Sequence, residues 1–364
     1  MTTLLYYNPI SAIRLVNSPD TQNWKKLYNW INPGVELTDR TGLLRFPINA
    51  EPYAGCGLPE LTNTTMTYKD CCDRRATELM ALSEQLQKPL GLMWSGGIDS
   101  TRLMVAFLEN FPLSVLKERV RVIISEESII ENPEFYRNYI LPNFEFINSE
   151  YTPWLFDREI ILVTGELNDQ LMGSDTMKAY RLFNTDKFNQ PYNKAHIMDY
   201  CNSLIKDPAV TELIVDAVAN SATHYGLPLE YNCDWFWWYN FCFKWQGIWF
   251  RLLVISTPKL WQNIDASFAG TYLHHFFSTD YFQLWSIHNR PYRSMKSWTN
   301  YKQVAKQDIF NFDGNQEYFD TKIKKGSLYT VFSQRTMFDA IDSNWKPIHK
   351  LQDVDWYNPE NDFK

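Results

Sequence analysis

The stretch Gly91-Leu92-Met93-Trp94-Ser95-Gly96-Gly97-Ile98-Asp99-Ser100-Thr101 runs from a short apolar segment through a glycine turn into a helical pattern that reaches Asn110. Three more β-branched or apolar runs follow at Val120–Ile124, Phe144–Ile147 and Glu159–Thr164, with helical candidates between them, notably around Pro133–Leu141. Strands that alternate with helices need crossover connections, and these produce a mainly parallel sheet with flanking helices. The expected fold class is therefore α/β. Ligands of such sheets sit at the carboxyl ends of strands, where the Ser-Gly-Gly turn falls.

The turn has the chemistry of an anion site. Two glycines let a backbone approach an anion closely, and the exposed amides at a helix start donate to it. Ser95, Ser100 and Thr101 add hydroxyl donors around Gly96 and Gly97. Asp99 cannot bind phosphate itself, and a carboxylate there makes sense with Mg2+ between it and a nucleotide. The lysine of a GxxxxGK[ST] loop is missing, so this is a different kind of phosphate loop.

The string Ser95–Thr101 in its strand-loop-helix setting resembles the PP-loop signature of the N-type ATP pyrophosphatases, which implies an adenine-nucleotide α-hydrolase-like fold with ATP and Mg2+ bound. A second string, Gly165-Glu166-Leu167-Asn168-Asp169-Gln170-Leu171-Met172-Gly173, again follows an apolar run. It is similar to the GExxDELxGG-like loop in the C-terminal domain of asparagine synthetases, whose relatives include β-lactam synthetases and lasso-peptide cyclases. That resemblance makes Asp169 the second Mg2+ ligand beside Asp99, and Glu166 the group that takes a proton from an attacking amine. Read from the residues alone, the string also fits an acidic turn that caps the next helix. Gln170 stands where the family has Glu, and Ser174-Asp175 replaces the Gly-aromatic end of the loop.

A third match is Lys322-Ile323-Lys324-Lys325-Gly326, reached after Lys302-Gln303-Val304-Ala305-Lys306. In the family a late KxG segment after a K-x-x-x-[KR] helix delivers a lysine to the phosphates, which assigns Lys324 to the departing pyrophosphate, or Lys325 if the register slips by one. A solvated basic turn is the competing reading. Ser125, after the second run, corresponds to a region where relatives contact adenosine. The resemblance spans roughly residues 85 to 335.

The 364 residues carry 45% hydrophobic and 21% charged side chains, an ordinary globular balance with enough chain for sizeable cores. The net charge of −7 argues against a wide nucleic-acid surface. Aromatic residues reach 16%, and buried indoles and phenols need partners for their polar tips, so a core rich in side-chain hydrogen bonds is expected. The richest apolar stretch, Asp234–Ile255, is interrupted by Asn240, Lys244, Gln246 and Arg251, and reads as a buried aromatic helical segment rather than a membrane span. The first residues have no signal-peptide pattern, and the chain is read as cytoplasmic. Six cysteines without a CxxC pair read as reduced thiols, and His274, His275 and His288 as packed or partly exposed histidines.

Three units are expected: a short N-terminal segment, 1–85, ending in a helix over Tyr68–Leu86; a synthetase-like unit, 86–340, helical from about 190; and an irregular acidic tail, 341–364. The segment before the glycine loop lacks the N-terminal cysteine and the length of a glutaminase domain. The expected activity is AMP- and pyrophosphate-forming amide synthesis. A carboxylate would be adenylated and then attacked by ammonia or an amine, with small-molecule acids and amines as partners. The rival readings are a nucleobase- or RNA-modifying ATP pyrophosphatase and a nucleotide-binding scaffold without catalysis.

Overall fold

A computed structural model describes residues 3–8, 36–43, 51–173, 183, 185–255, 264–293, 300–322 and 339–348. The chain opens with strands β1 (Thr3–Tyr7) and β2 (Glu51–Pro52) and helix α1 (Tyr68–Leu86). Helix α1 covers the span its sequence pattern indicates. Thr67 starts it with a reciprocal cap: its hydroxyl accepts from the Asp70 amide at 3.1 Å, and the Asp70 carboxylate accepts from the Thr67 amide at 2.8 Å. Gln87, in the left-handed region at φ 54°, ends it.

Next come β3 (Leu90–Met93), α2 (Ile98–Asn110), α3 (Leu113–Arg119), β4 (Val120–Ile124), α4 (Glu126–Glu131), β5 (Glu145–Asn148), β6 (Ile161–Thr164) and α5 (Asn168–Met172). The four strands expected from the apolar runs form, within a residue or two of their expected limits. They join a fifth, β7 (Leu273–His275), in a parallel sheet of order β5-β4-β3-β6-β7. The α/β class with a parallel sheet and flanking helices is thus observed. Strand β7 lies inside the region expected to be helical. Three residues are too few to show a strand period, and its pairing with β6, Leu162 opposite Leu273, is a tertiary fact.

Strands β3 and β6 are buried along their whole length, as continuous apolar runs covered on both faces must be. Side chains of β3, β4 and β6 alternate between two cores. Leu90, Leu92, Val122, Ile161 and Val163 face the larger one, which contains α1 and α2. Met93, Ile123 and Leu162 face a smaller one with Leu5, Tyr6, Phe250 and Ile341. Helix α2 packs against both α1 and α12 (Gln303–Asp313), and the Arg102 Nε–Asp308 Oδ2 pair at 2.9 Å fastens it to α12.

Helices α6 (Lys194–Ile205), α7 (Pro208–His224), α8 (Asn232–Trp238), α9 (Trp245–Phe250), α10 (Ala266–Tyr272) and α11 (Asp280–His288) precede α12, and α13 (Gln316–Thr321) follows it. A short π-helical stretch, Tyr239–Phe243, joins α8 to α9. Indole donors in this aromatic rod find buried acceptors, as the composition led one to expect. Trp235 donates to the Val215 carbonyl at 3.2 Å, Trp237 to the Leu171 carbonyl at 3.0 Å and Trp238 to Ser221 Oγ at 2.8 Å. Among the described residues no helix is long and apolar enough to cross a membrane. All six thiols are free, five of them buried.

The two ends of the described chain meet in a second sheet, order β2-β1-β8-β9, with β8 at Ala340–Asp342 and β9 at Pro347–Ile348. The segment from 341 therefore begins as strand rather than as irregular tail. Ile341 is buried in the smaller core, and Asp342 Oδ1 accepts from the Asn344 and Lys346 amides, each at 2.9 Å, to close the turn between the strands.

Candidate active site

Strand β3 has β4 on one side and β6 on the other, so the strand order reverses at β3, and in open parallel sheets the crevice that binds ligands lies at such a reversal, outside the carboxyl ends of the strands. The glycine loop leaves β3 and the Gly165–Gly173 loop leaves β6, so both strings flank that crevice. Gly96 turns at φ 71°, and a Cβ there would lie 2.4 Å from the Ser128 carbonyl oxygen, which restricts the position to glycine. Gly97 then caps α2 with no side-chain cap of its own. Ser100 Oγ accepts from the Ser95 amide at 3.0 Å and lies 3.0 Å from Ser95 Oγ, so these two hydroxyls brace the loop. Ser95 and Gly97 are partly exposed, whereas Ser100 is buried.

Thr101 does not share this face. It is fully buried, and its hydroxyl accepts from the Trp94 indole at 3.2 Å. At the end of β4, Ser125 caps α4 through a reciprocal exchange with Ser128, its hydroxyl accepting from the Ser128 amide at 3.3 Å. Ser125 is partly exposed beside the glycine loop, since Ser128 of the same turn packs against Gly96.

The two aspartates converge. Gly165 lets the loop after β6 pass against the start of α2, where an added Cβ would lie 3.0 Å from the Ser100 amide nitrogen. Leu167, at φ 75°, turns the chain into α5 and directs Asn168 and Asp169 toward α2. Asn168 Nδ2 donates to Asp99 Oδ1 at 2.7 Å, and its own oxygen accepts from Tyr68 at 3.1 Å. Between the two carboxylates sits the Lys302 ammonium, in contact with Asp99 Oδ2 and 2.7 Å from Asp169 Oδ1. Tyr301 donates its hydroxyl to Asp169 Oδ1 at 2.6 Å, and Asn240 from the π-helical stretch donates to the Asp169 carbonyl at 2.8 Å.

Glu166 stands 15% exposed, with both carboxylate oxygens 2.6 Å from Arg251 Nη2. Behind it, Thr164 Oγ1 accepts from the Glu166 amide at 3.2 Å and lies 2.7 Å from His275 Nδ1. Burial pushes the His275 imidazole down to about 4. His275 Nε2 is 2.9 Å from the Trp249 carbonyl, which can only accept, so the proton of the neutral ring is on Nε2 and Thr164 donates to Nδ1. Beneath the glycine loop, Lys322 Nζ pairs with Glu131 Oε1 at 2.6 Å, both side chains being buried. Lys324 and Lys325 lie outside the described residues.

Asp99 and Asp169 are thus brought to one point at the start of the helix that Ser95, Gly96 and Gly97 lead into, and Ser125 lies beside that glycine loop through Ser128. Glu166 sits on the same loop as Asp169 but in an ion pair. Sequence reasoning passed over Asn168, Tyr301 and Lys302 as parts of the cluster. It noted Asn240 and Arg251 only as breaks in an apolar run. A polar residue inside such a run is itself a signal, because burial obliges it to find a partner. No family model and no curated protein matches this sequence.

The donor set suits a hard cation. Two carboxylate oxygens from separate loops already reach a single positively charged atom, and Mg2+ takes oxygen ligands of this kind, usually one or two carboxylates with phosphates and water. Among the described residues no third acid, His or Cys joins them.

Proposed function

We propose that the chain is an ATP-dependent, AMP- and pyrophosphate-forming amide synthetase of the PP-loop, asparagine synthetase-like kind. The observation that carries this reading is the meeting of Asp99 and Asp169 on one cation, at the strand-order reversal, beside the Ser95–Gly97 turn. In this reading the amides at the start of α2 and the Ser95 hydroxyl bind the phosphates, and Ser125 lies toward the nucleoside. Asp99 and Asp169 would hold Mg2+, which neutralises charge on the triphosphate.

The acid substrate's carboxylate oxygen attacks the α-phosphorus. The bond from that phosphorus to the bridging oxygen breaks, and pyrophosphate leaves, its charge met by Lys324. An amine nitrogen then attacks the activated carbonyl carbon, the carbon–oxygen bond to AMP breaks, and Glu166 takes the proton. Arg251 Nη2 holds both oxygens of Glu166, so this role requires Arg251 to loosen its hold and let the carboxylate reach the amine. The scaffold reading draws support from the same pair. It describes a chain that binds nucleotide and leaves Glu166 permanently neutralised.

Pyrophosphate release with Mg-ATP and pools of acids and amines separates the two. The synthetase reading expects release that needs both an acid and an amine and disappears in Asp99→Ala and Asp169→Ala. ATP binding without release on any pool would establish the scaffold instead.

A further inference from the structure

Lys302 has a place that a surface lysine would not hold. Its side chain is 3% exposed, and its ammonium touches Asp99 and Asp169 together. Its backbone lies in the left-handed region at φ 54°, which disfavours a residue with a β-carbon. Leu167, which aims the opposite loop at the same point, is left-handed as well. Two non-glycine residues in this conformation on the two loops that meet at one cluster mark a constellation held by its surroundings. Helix α12 gives Lys302 a firm base: the Lys302 carbonyl accepts from the Lys306 amide at 3.0 Å, and Asp308 is tied to Arg102 of α2. Asn168 and Tyr301 occupy further lone pairs of the two acids.

Half of the acid pair's charge is therefore compensated by a cation that the chain itself supplies. The ammonium stands at a point both carboxylates reach, so a divalent ion bound by those same two oxygens would stand where it stands. We propose that Lys302 is a resident occupant of the divalent-cation position. A metal enters by displacing the ammonium, and the site does not load with free cation in competition with it. Displaced, the ammonium remains on the residue before α12, beside the two acids, where its charge must be met by anions arriving with the metal. Cation and phosphate binding are thereby linked. The inference rests on reading the acid pair as a cation site, but it makes no use of adenylation, and a chain that never turns over ATP can still meet it.

The probe is Mn2+ alone, without nucleotide, followed by the electron paramagnetic resonance of the free ion. Wild-type protein should bind it weakly. Lys302→Met, which keeps the stem and removes the charge, should bind about tenfold more tightly or better, a gain of at least 1.4 kcal/mol. The gain should vanish in Lys302→Met combined with Asp169→Asn. Lys302→Arg, which restores a cation, should stay near wild type. Equal or weaker binding by Lys302→Met would overturn the proposal, since a lysine that merely braces the fold gives no reason for tighter binding. If Lys302→Met does not fold in chelator, Mn2+ should restore its native circular dichroism by replacing the missing charge. Failure of that rescue would overturn the proposal equally.

Discussion

Replacing Gly165 with alanine tests whether the close passage of two loops makes the site. An alanine Cβ would stand 3.0 Å from the Ser100 amide nitrogen and 3.2 Å from the Asp99 carbonyl carbon. Both are backbone atoms at the start of a packed helix and cannot swing aside as a side-chain tip can. Ordinary contact needs a few tenths of an ångström more, so the loop after β6 must move away from α2 or distort. Overpacking of this kind costs about 1–3 kcal/mol, to be read from the midpoint of urea unfolding. The same shift separates Asp169 from Asp99. It is smaller than the roughly 1 Å misplacement that costs on the order of 100-fold in rate, so pyrophosphate formation should fall by about 3- to 10-fold. Gly270→Ala is the control: nothing lies within 4 Å of its added Cβ. It should leave turnover unchanged and stability equal or slightly higher. A Gly165→Ala protein with wild-type stability and turnover would refute the idea that this close passage sets the distance between the aspartates.

Three further outcomes follow from buried groups. Burial holds His275 neutral with its imidazole pushed down to about 4, so the unfolded chain binds more protons between that value and the ordinary 6.5. Its contribution to stability, roughly 3 kcal/mol, is complete above 6.5 and is lost as the pH falls toward 4, and His275→Gln should flatten that part of an unfolding-versus-pH curve. Glu36 behaves oppositely: burial raises its carboxyl to about 8, although Thr38 and the Tyr7 amide donate to it. The folded state then holds a proton that the unfolded chain has released, stability declines as the pH rises from about 4.5 to 8, and Glu36→Gln should help more at pH 8 than at pH 5. Thr101→Val leaves the Trp94 indole without its acceptor and should cost about 1–3 kcal/mol in urea unfolding while ATP affinity, measured by calorimetry, stays unchanged. A loss of ATP affinity would restore Thr101 to the phosphate site.

The elements that carry their own signal were legible. The Thr67–Asp70 cap and the charge-aliphatic alternation fix α1, and the apolar runs ending at Met93, Ile124 and Thr164 are short, alternate with helical patterns and close on turn residues, as strands of a parallel sheet do. Strands β1, β7 and β8 depend on partners distant in sequence, and nothing within three to five residues announces them. At the site, the glycine-and-acid strings indicated Asp99 through its place after the Ser-Gly-Gly turn, and Asp169 through the family resemblance, since an acidic turn that caps a helix fits the second string as well. They could not indicate Lys302, which the third match named only as the head of its K-x-x-x-[KR] segment, with no role until the fold sets two carboxylates against it. Thr101 shows the converse. The motif groups it with the loop hydroxyls, but helix geometry rotates it about 100° from Ser100, into the core. The four polar breaks in the aromatic run were visible but unassigned. Asn240 reaches Asp169, Arg251 reaches Glu166, Gln246 donates to the Leu5 and Tyr53 carbonyls, and Lys244 lies over the Tyr239 ring.

The account turns on Asp99 and Asp169 serving a single magnesium-bound nucleotide. Calorimetric titration of wild type, Asp99→Asn, Asp169→Asn and the double variant with Mg-ATP measures this as a coupling between the two positions. Each single change should weaken binding, and the double variant should bind little worse than either, because the shared ion is already lost. Additive losses, or no loss in either single variant, would mean that the two carboxylates do not hold the same ion.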